Sequence, residues 1–353
     1  MSNLEAFGWD EYFMTAWQTI DLPQCIPARV TADFGTSLKV VTPAEKTAVL
    51  SGRLLHFAKP EDFPKVGDWV AVQLSGVRDA TIEAVLPRRS EIARKAAGNK
   101  AQKQIMASNV DIAFVLQALD NDFSPERLQR YLYQLTIGHI EAVLVLNKAD
   151  KTSNTQPYLD AVAGLTVRTI VASALSGAGV NEIRQAIQTG KTAVLLGSSG
   201  VGKSTLTNLL VGEAIQKTQA VRASDDTGQH TTSHRELFVL PNGGLLIDTP
   251  GIRELQLWGL EEDLDENFDD IAELASRCKY SNCRHGSEAG CQIQAALHNG
   301  KLDPAHYRNY LKMKGELKNQ TVKATADAIE KRKAQNKMYK QAERDSHGDD
   351  YEL

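Results

Sequence analysis

The sequence predicts a multidomain α/β protein with a small N-terminal β-barrel, a mostly parallel α/β domain in the middle and a helical C-terminal domain organised around a Cys/His cluster. Three observations predict it. Five short β-rich runs crowd residues 28–86, apolar strands alternate with amphipathic stretches after Val110, and three of the four cysteines fall with a histidine inside CKYSNCRHGSEAGC. A chain of 353 residues with 42% apolar residues can bury more than one core.

The runs RVTADF, SLKVVT, TAVLSGRLLHF, DWVAVQLS and ATIEAVLP are separated by turn-forming Gly, Pro and Asp. Five short strands at that spacing predict a barrel, here assigned to the OB type over residues 25–90. Residues 1–24 form an N-terminal extension, and the lone Cys25 reads as a half-buried small residue. Residues 91–108 read as a basic linker. Arg88, Arg89, Arg94, Lys95, Lys100 and Lys103 beside a barrel groove could bind phosphate backbones without reading bases.

The formal charge of -4 hides this asymmetry, because residues 261–270 are acidic while 88–103 and 312–340 are mostly basic. The start, MSNLEAFGWDEYF, carries acids and no apolar h-region, and no apolar run reaches the roughly 18–20 residues of a membrane span. A cytoplasmic protein without a membrane partner is expected. Clustered cysteines favour a reducing compartment and a metal over disulfides.

In residues 109–258, VDIAFVLQAL, AVLVLN, VRTIVAS, TAVLLG, ELFVL and LLID read as buried strands, with SPERLQRYLYQL, VNEIRQAIQ and KSTLTNLLVG as helices between them. That alternation predicts a parallel sheet. Gly197, Ser198, Ser199, Gly200, Val201, Gly202, Lys203 and Ser204, followed by Thr205, match G-x-x-x-x-G-K-[ST] between a strand and a helix. Glycines let backbone N–H groups converge on phosphates, Lys203 would neutralise the β and γ phosphates, and Ser204 would ligate magnesium. A plain Gly/Ser turn would match the pattern but would not need those flanks. LLIDTPG adds Asp248, which can hold magnesium through water, and Gly251, whose N–H can meet a γ-phosphate.

Asn147, Lys148 and Asp150 follow a strand, at the sheet edge where ligands bind in this architecture. Asp150 could accept from guanine N1 and N2, whereas adenine would leave that carboxylate unpaired. Ser173, Ala174 and Leu175 form a turn in which the Ala174 N–H could meet guanine O6. Together these elements favour GTP as the bound and hydrolysed nucleotide.

Hydrolysis needs a group to position water. The place after the D-x-x-G element, often glutamine, holds Ile252. The polar segment ASDDTGQHTTSHR suits a switch: Thr231 or Thr232 could close over magnesium, and His230 could orient water or accept its proton. His234 reads as structural.

Cys278, Cys283, His285 and Cys291 give C-x4-C-x-H-x5-C, a closed tetrahedral set suited to one structural zinc. They anchor a helical domain over residues 259–353, with His298 and His306 as surface residues and a basic tail read as a frayed helix or disorder.

These motifs together resemble the RsgA family, also called YjeQ, of circularly permuted bacterial P-loop GTPases. The pieces are NVD at residues 109–111, NKAD, SAL, GSSGVGKS, GQHTT, DTPGIRE and the Cys3His segment followed by LHNGKLDPAHYRNY, with the guanine-reading elements ahead of the phosphate loop. The resemblance implies an OB-fold, a permuted GTPase domain and a zinc domain acting on the 30S subunit and its 16S rRNA in late assembly, alongside other assembly factors. It also implies His230 as the catalytic histidine, with turnover stimulated by the small subunit. A monomer is expected. Two departures stand out: Glu288, Ala289 and Gly290 replace a common Glu-Pro-Gly before the last cysteine, and Gly200 occupies the place of a potassium-binding asparagine in some related GTPases. The alternative is a non-ribosomal regulatory GTPase whose zinc-stabilised domain binds another protein.

Overall fold

Strand β1 (Ile26–Asp33) hydrogen-bonds three different neighbours along its length. Its first half pairs antiparallel with β4 (Trp69–Leu74), its second half with β2 (Leu38–Thr42), and Ala32 and Asp33 reach β12 (Arg235–Val239). A register shift between Val30 and Ala32 lets one strand turn this corner. β2 pairs with β3 (Ala44–Leu50), β3 runs parallel to β5 (Asp79–Val85), and β5 returns antiparallel to β4. The order 1-2-3-5-4-1 closes the OB-type barrel, filled by Val30, Val40, Val70, Val72 and Ile82.

The computed structural model describes residues 4–96, 102–212, 235–248 and 256–347. His230, Thr231, Thr232, His234, Gly251, Ile252 and Lys100 lie outside them.

The run TAVLSGRLLHF, expected to be one strand, is two elements. β3 stops at Leu50, and Gly52–Phe57 forms helix α2 because Ser51 caps it, accepting from the Leu54 N–H at 3.4 Å. The expected linker contains two paired strands, β6 (Glu91–Lys95) and β7 (Lys103–Ser108). The N-terminal extension folds as well. Phe13 of helix α1 (Glu11–Gln18), which Asp10 caps, and Trp9 just ahead of it pack on the buried Trp69 of the barrel. Cys25 is buried rather than half-buried.

The central sheet reads β10 (Arg168–Val171), β9 (Glu141–Asn147), β8 (Ile112–Ala118), β11 (Thr192–Gly197) and β13 (Leu245–Asp248), all parallel, with β12 antiparallel beyond β13. Alternation on β8 builds a core on each face. Ala113 and Val115 face helix α3 (Pro125–Ile137) through Leu128, Tyr131 and Leu135, while Phe114 and Leu116 join Ile183 of α5 (Val180–Ala186) and Leu206 and Leu210 of α6 (Lys203–Val211). A short helix α4 (Gln156–Val162), not expected from sequence, adds Val162 to the first core.

The chain divides into two compact units, residues 1–94 with 104–256 and residues 95–103 with 257–353, so barrel and central sheet form one body. A buried arginine ties them. Arg29 on β1, 1% exposed, donates to Gly67 O (3.2 Å), Asn109 O (3.2 Å), Thr192 Oγ1 (2.9 Å) and the Phe7 carbonyl, and its guanidinium lies over Trp69. Burial pushes its pKa down to about 10, opposed by Asp111, Asp68 and Asp10. Arg88 forks onto the buried Asp68 (2.9 and 2.8 Å), and Arg89 bridges Asp10 (2.5 Å) and Asp111 (2.9 Å). These two cations, read from sequence as part of an RNA surface, are therefore committed to the fold.

In the second unit a 3-10 turn (Glu262–Asn267) leads to α7 (Asp269–Ser276), α8 (Gln292–His298) and the long α9 (Pro304–His347). Leu264, Phe268, Ile271, Ile293, Met313 and Leu317 are buried there. His306 is not a plain surface residue: its ring packs on Phe268 and its Nε2 lies 3.1 Å from Asp270. The expected frayed or disordered tail is helical to His347. Among the described residues no helix is long and apolar enough to cross a membrane.

Replacing Arg29 by Met should destabilise the first unit by roughly 3 kcal/mol or more, because the carbonyls of Gly67, Asn109 and Phe7 lose a buried donor while nearby carboxylates lose a cation. Urea denaturation followed by tryptophan fluorescence measures it; a loss below about 1 kcal/mol would show that Arg29 does not tie barrel to sheet.

Candidate functional site

Three loops meet at the carboxyl edge of the parallel sheet. The phosphate loop follows β11 and enters α6 at Lys203, with Val201 buried and Ser199, Gly200, Ser204 and Thr205 exposed. Its tight course requires glycine at two places. At Gly197 (φ +142°) a Cβ would lie 2.6 Å from Leu116 O, and at Gly202 (φ +106°) 2.3 Å from Asn147 Nδ2. The Lys203 ammonium folds back over the loop, donating to Gly197 O (2.7 Å) and Ser198 O (2.6 Å).

Asn147 ends β9 and is 1% exposed. Its Nδ2 donates to Val201 O at 2.7 Å, and its Oδ1 accepts from the Ala174 N–H at 3.0 Å, so one carboxamide joins the phosphate loop to the SAL turn. That N–H, expected from sequence to be aimed at guanine O6, is engaged by Asn147 here. Lys148 adopts the left-handed conformation (φ 63°) and sends Nζ to Asp120 at 2.9 Å. The Lys148 ammonium and the Asp122 N–H hold the Asp120 carboxyl below the usual range. Asp150 is exposed and accepts from Ser173 Oγ, which also accepts from the Ser176 N–H at 3.1 Å. Asp248 ends β13, directly across from Glu236 on β12.

The structure thus assembles Asn147, Lys148, Asp150, Ser173, Ala174 and residues 197–205 around one edge, with Asp248 two strands from β8 on the same sheet. Such an edge can hold a planar base at β9 and β10 and phosphates at the start of α6.

Sequence comparison agrees. The RsgA GTPase family profile matches residues 85–258. The small ribosomal subunit biogenesis GTPase RsgA of Opitutus terrae is 40% identical over 89% of this chain and 89% of its own length. The chain belongs to the RsgA GTPase family. The relative of the same name from Syntrophotalea carbinolica is 38% identical over 94% of both chains. Among solved structures, YloQ, a circularly permuted GTPase, aligns with a TM-score of 0.58 at 25% identity, covering 84% of this chain and 96% of that one. YjeQ from Thermotoga maritima aligns at 0.61 and 24% identity, covering 83% and 98%, a likeness of fold. This RsgA-family chain is a GTP-hydrolysing enzyme of permuted P-loop architecture.

Its second unit carries the Cys/His cluster. The ligand atoms of Cys278, Cys283, His285 and Cys291 lie within 4.8 Å of one another, and His285 Nδ1 is 3.6 Å from both Cys278 Sγ and Cys291 Sγ. Metal–sulfur bonds of about 2.3 Å and metal–nitrogen bonds of about 2.0 Å at tetrahedral angles give an edge of roughly 3.5 Å, so the set fits a tetrahedral ion. N–H groups of Gln292 and Gln294 point at the sulfurs of Cys278 (3.4 Å) and Cys291 (3.5 Å). Burial acts to raise the Cys278 thiol, but the N–H groups of Gln292 and Ile293 and the neighbouring thiols outweigh it and hold it below its ordinary value. The turn before Cys291 is held by Glu288, whose carboxylate accepts from Arg284 N (3.0 Å) and Gly286 N (2.7 Å).

Sequence reasoning missed Asp120 and Asp122. The signal was present: LDND follows β8 directly, and short loops at the carboxyl ends of central parallel strands are where ligand-site residues gather. Replacing Gly202 by Ala should displace Asn147 and weaken GDP binding at least tenfold, since the new methyl meets Nδ2 at 2.3 Å on a backbone that disfavours any Cβ. Titration with a fluorescent GDP analogue tests this, and unchanged affinity would remove Gly202 from the joint.

Proposed function

We propose that this chain hydrolyses GTP to GDP and phosphate as a step in late maturation of the 30S subunit, binding the subunit and its 16S rRNA in a nucleotide-dependent way. One observation carries the reading. Asn147 bonds both Val201 O and Ala174 N, so the guanine motif, the SAL turn and the phosphate loop are joined at one sheet edge despite their permuted order. Relatives about 40% identical bear the name small ribosomal subunit biogenesis GTPase.

In this reading Asp150 accepts from guanine N1 and N2, with Ser173 Oγ holding the carboxylate in place. Guanine O6 shares the Ala174 N–H with Asn147 Oδ1. The N–H groups of residues 198–204 surround the phosphates, and Lys203 exchanges its two loop carbonyls for β and γ oxygens. Ser204, Asp248 and Thr231 or Thr232 would hold magnesium, which supplies neutralisation of charge on the phosphate oxygens. The Gly251 N–H meets the γ-phosphate. His230 orients water and takes its proton as the new O–P bond forms and the bond to the β-phosphate oxygen breaks, leaving GDP.

Cys278, Cys283, His285 and Cys291 would hold one structural zinc, since three thiolates and an imidazole leave no open position for catalysis. Partners beyond the subunit include other assembly factors, and the protein acts as a cytoplasmic monomer.

His230→Ala should keep GTP and GDP affinity but lose 30S-stimulated turnover by roughly 10²-fold. Turnover measured with purified 30S, 50S and 70S particles tests both claims: stimulation by 30S alone is expected. Equal turnover with and without particles would sink the ribosomal role, and undiminished stimulation in the variant would remove His230 from the mechanism. Elemental analysis of the purified protein should find about one zinc per chain, with Cys283→Ser losing most of it; a zinc-free wild type with intact helicity would overturn the metal assignment.

A further inference from the structure

The loop between β8 and α3 carries two carboxylates that belong to none of the nucleotide motifs, and each grips a different part of the site. Asp120 Oδ2 accepts from Lys148 Nζ at 2.9 Å, in the guanine motif. Asp122 Oδ2 accepts from Ser198 Oγ, in the phosphate loop. The two are themselves linked, because the Asp122 N–H donates to Asp120 Oδ1 at 3.0 Å.

The loop has a buried foundation. Arg127, in the first turn of α3, pairs with Asp122 Oδ2 at 2.9 Å and also donates to the Asp122 carbonyl. Gln117, fully buried on β8, accepts through Oε1 from Ser124 N (3.3 Å) and from Arg127 Nη2 (3.4 Å). Ser124 caps α3 by accepting from the Arg127 N–H at 3.1 Å. A chain of hydrogen bonds therefore runs from the sheet interior through Gln117, Arg127 and Asp122 to Ser198.

We infer that Asp120 and Asp122 are positioning residues that fix the base-reading and phosphate-cradling loops relative to one another, an inference that rests on the reading of those loops as a guanine nucleotide site. A bare carboxylate beside a phosphate loop would repel the ligand. Here each is matched to a protein cation, Asp120 to Lys148 and Asp122 to Arg127, so local charge is balanced and what remains is geometry. Asn147 joins the same two regions from the interior, whereas Asp120 and Asp122 do so from the loop above, giving the site two independent ties. Pre-ordering a ligand loop raises affinity by removing the ordering cost from the binding step.

The experiment is a pair of double-mutant cycles on the full-length protein, read by equilibrium binding of a fluorescent GDP analogue at fixed magnesium. Asp122→Ala and Ser198→Ala should each weaken binding roughly tenfold, the value of one hydrogen bond to a charged group. The double variant should be within about twofold of either single one, because Asp122 acts through Ser198. Asp122→Asn keeps an acceptor for Ser198 and should stay within about threefold of wild type. Asp120→Ala and Lys148→Ala should show the same non-additivity. Maximal 30S-stimulated turnover at saturating GTP should be unchanged in Asp122→Ala, so that KM moves and kcat does not. Additive losses, equal losses in Asp122→Ala and Asp122→Asn, or unchanged affinity in Asp122→Ala would each overturn the inference. The underlying reading fails separately: a wild type that binds no GDP, or an Asp150→Asn variant with undiminished preference for guanine over adenine nucleotides, overturns the site itself.

Discussion

A single buried carboxamide stands in for chain continuity at the nucleotide edge. In this permuted order the strand ending at Asn147 is laid down before the strand ending at Gly197; both run parallel to β8, which brings their loops to one edge without bonding them to each other. Asn147 makes them meet by giving its two donor and acceptor ends to different loops. Because the group is buried, losing either partner leaves an unsatisfied polar atom, and that asymmetry makes the arrangement specific rather than merely favourable. The need for glycine at 202 follows from it, since any side chain there would collide with the carboxamide.

Beneath that edge the barrel and sheet act as one body because their shared charge is internal. Arg29 satisfies acceptors from the N-terminal segment, the barrel and the start of β11, and Asp111 accepts from Thr192 N on that strand and from Lys191 Nζ just before it. The strand that presents the phosphate loop is therefore held at its far end by two side chains, Arg29 of the barrel and Asp111. Net charge conveyed none of this, since the ion pairs here join Asp10, Asp68 and Asp111 to Arg88, Arg89 and Lys191, while Arg29 is satisfied by carbonyls and a hydroxyl.

Much was legible in the residues themselves, for identifiable reasons. Strands β8, β9 and β11 are buried on both faces, so they read as unbroken apolar runs, and α3 announces itself through Ser124 and Pro125. The Cys/His cluster was legible because all four ligands lie within fourteen residues and the structure needs no distant partner to close it. Helix α2 was hidden because GRLLHF continues an apolar run, although its cap, Ser51, stood just ahead of it. The roles of Arg29 and Arg88 were illegible: their partners lie tens of residues away, and an arginine by itself carries no sign of whether it faces water or a ring of carbonyls. Asp120 and Asp122 fall between, visible by position and invisible by motif.

The pairing of β1 with β12 has a further consequence, for solubility. An open sheet of this kind ends in a strand with a row of unanswered backbone groups, a template on which other chains can add. At one margin the problem is small, because β10 is only four residues long. At the other margin Ala32 and Asp33 of the barrel occupy the beginning of β12, opposite Glu236 and Arg235. The barrel is thus also a cover for a raw margin, and a nucleotide-binding module cut free of it would expose a strand that the intact chain never leaves uncovered at that end.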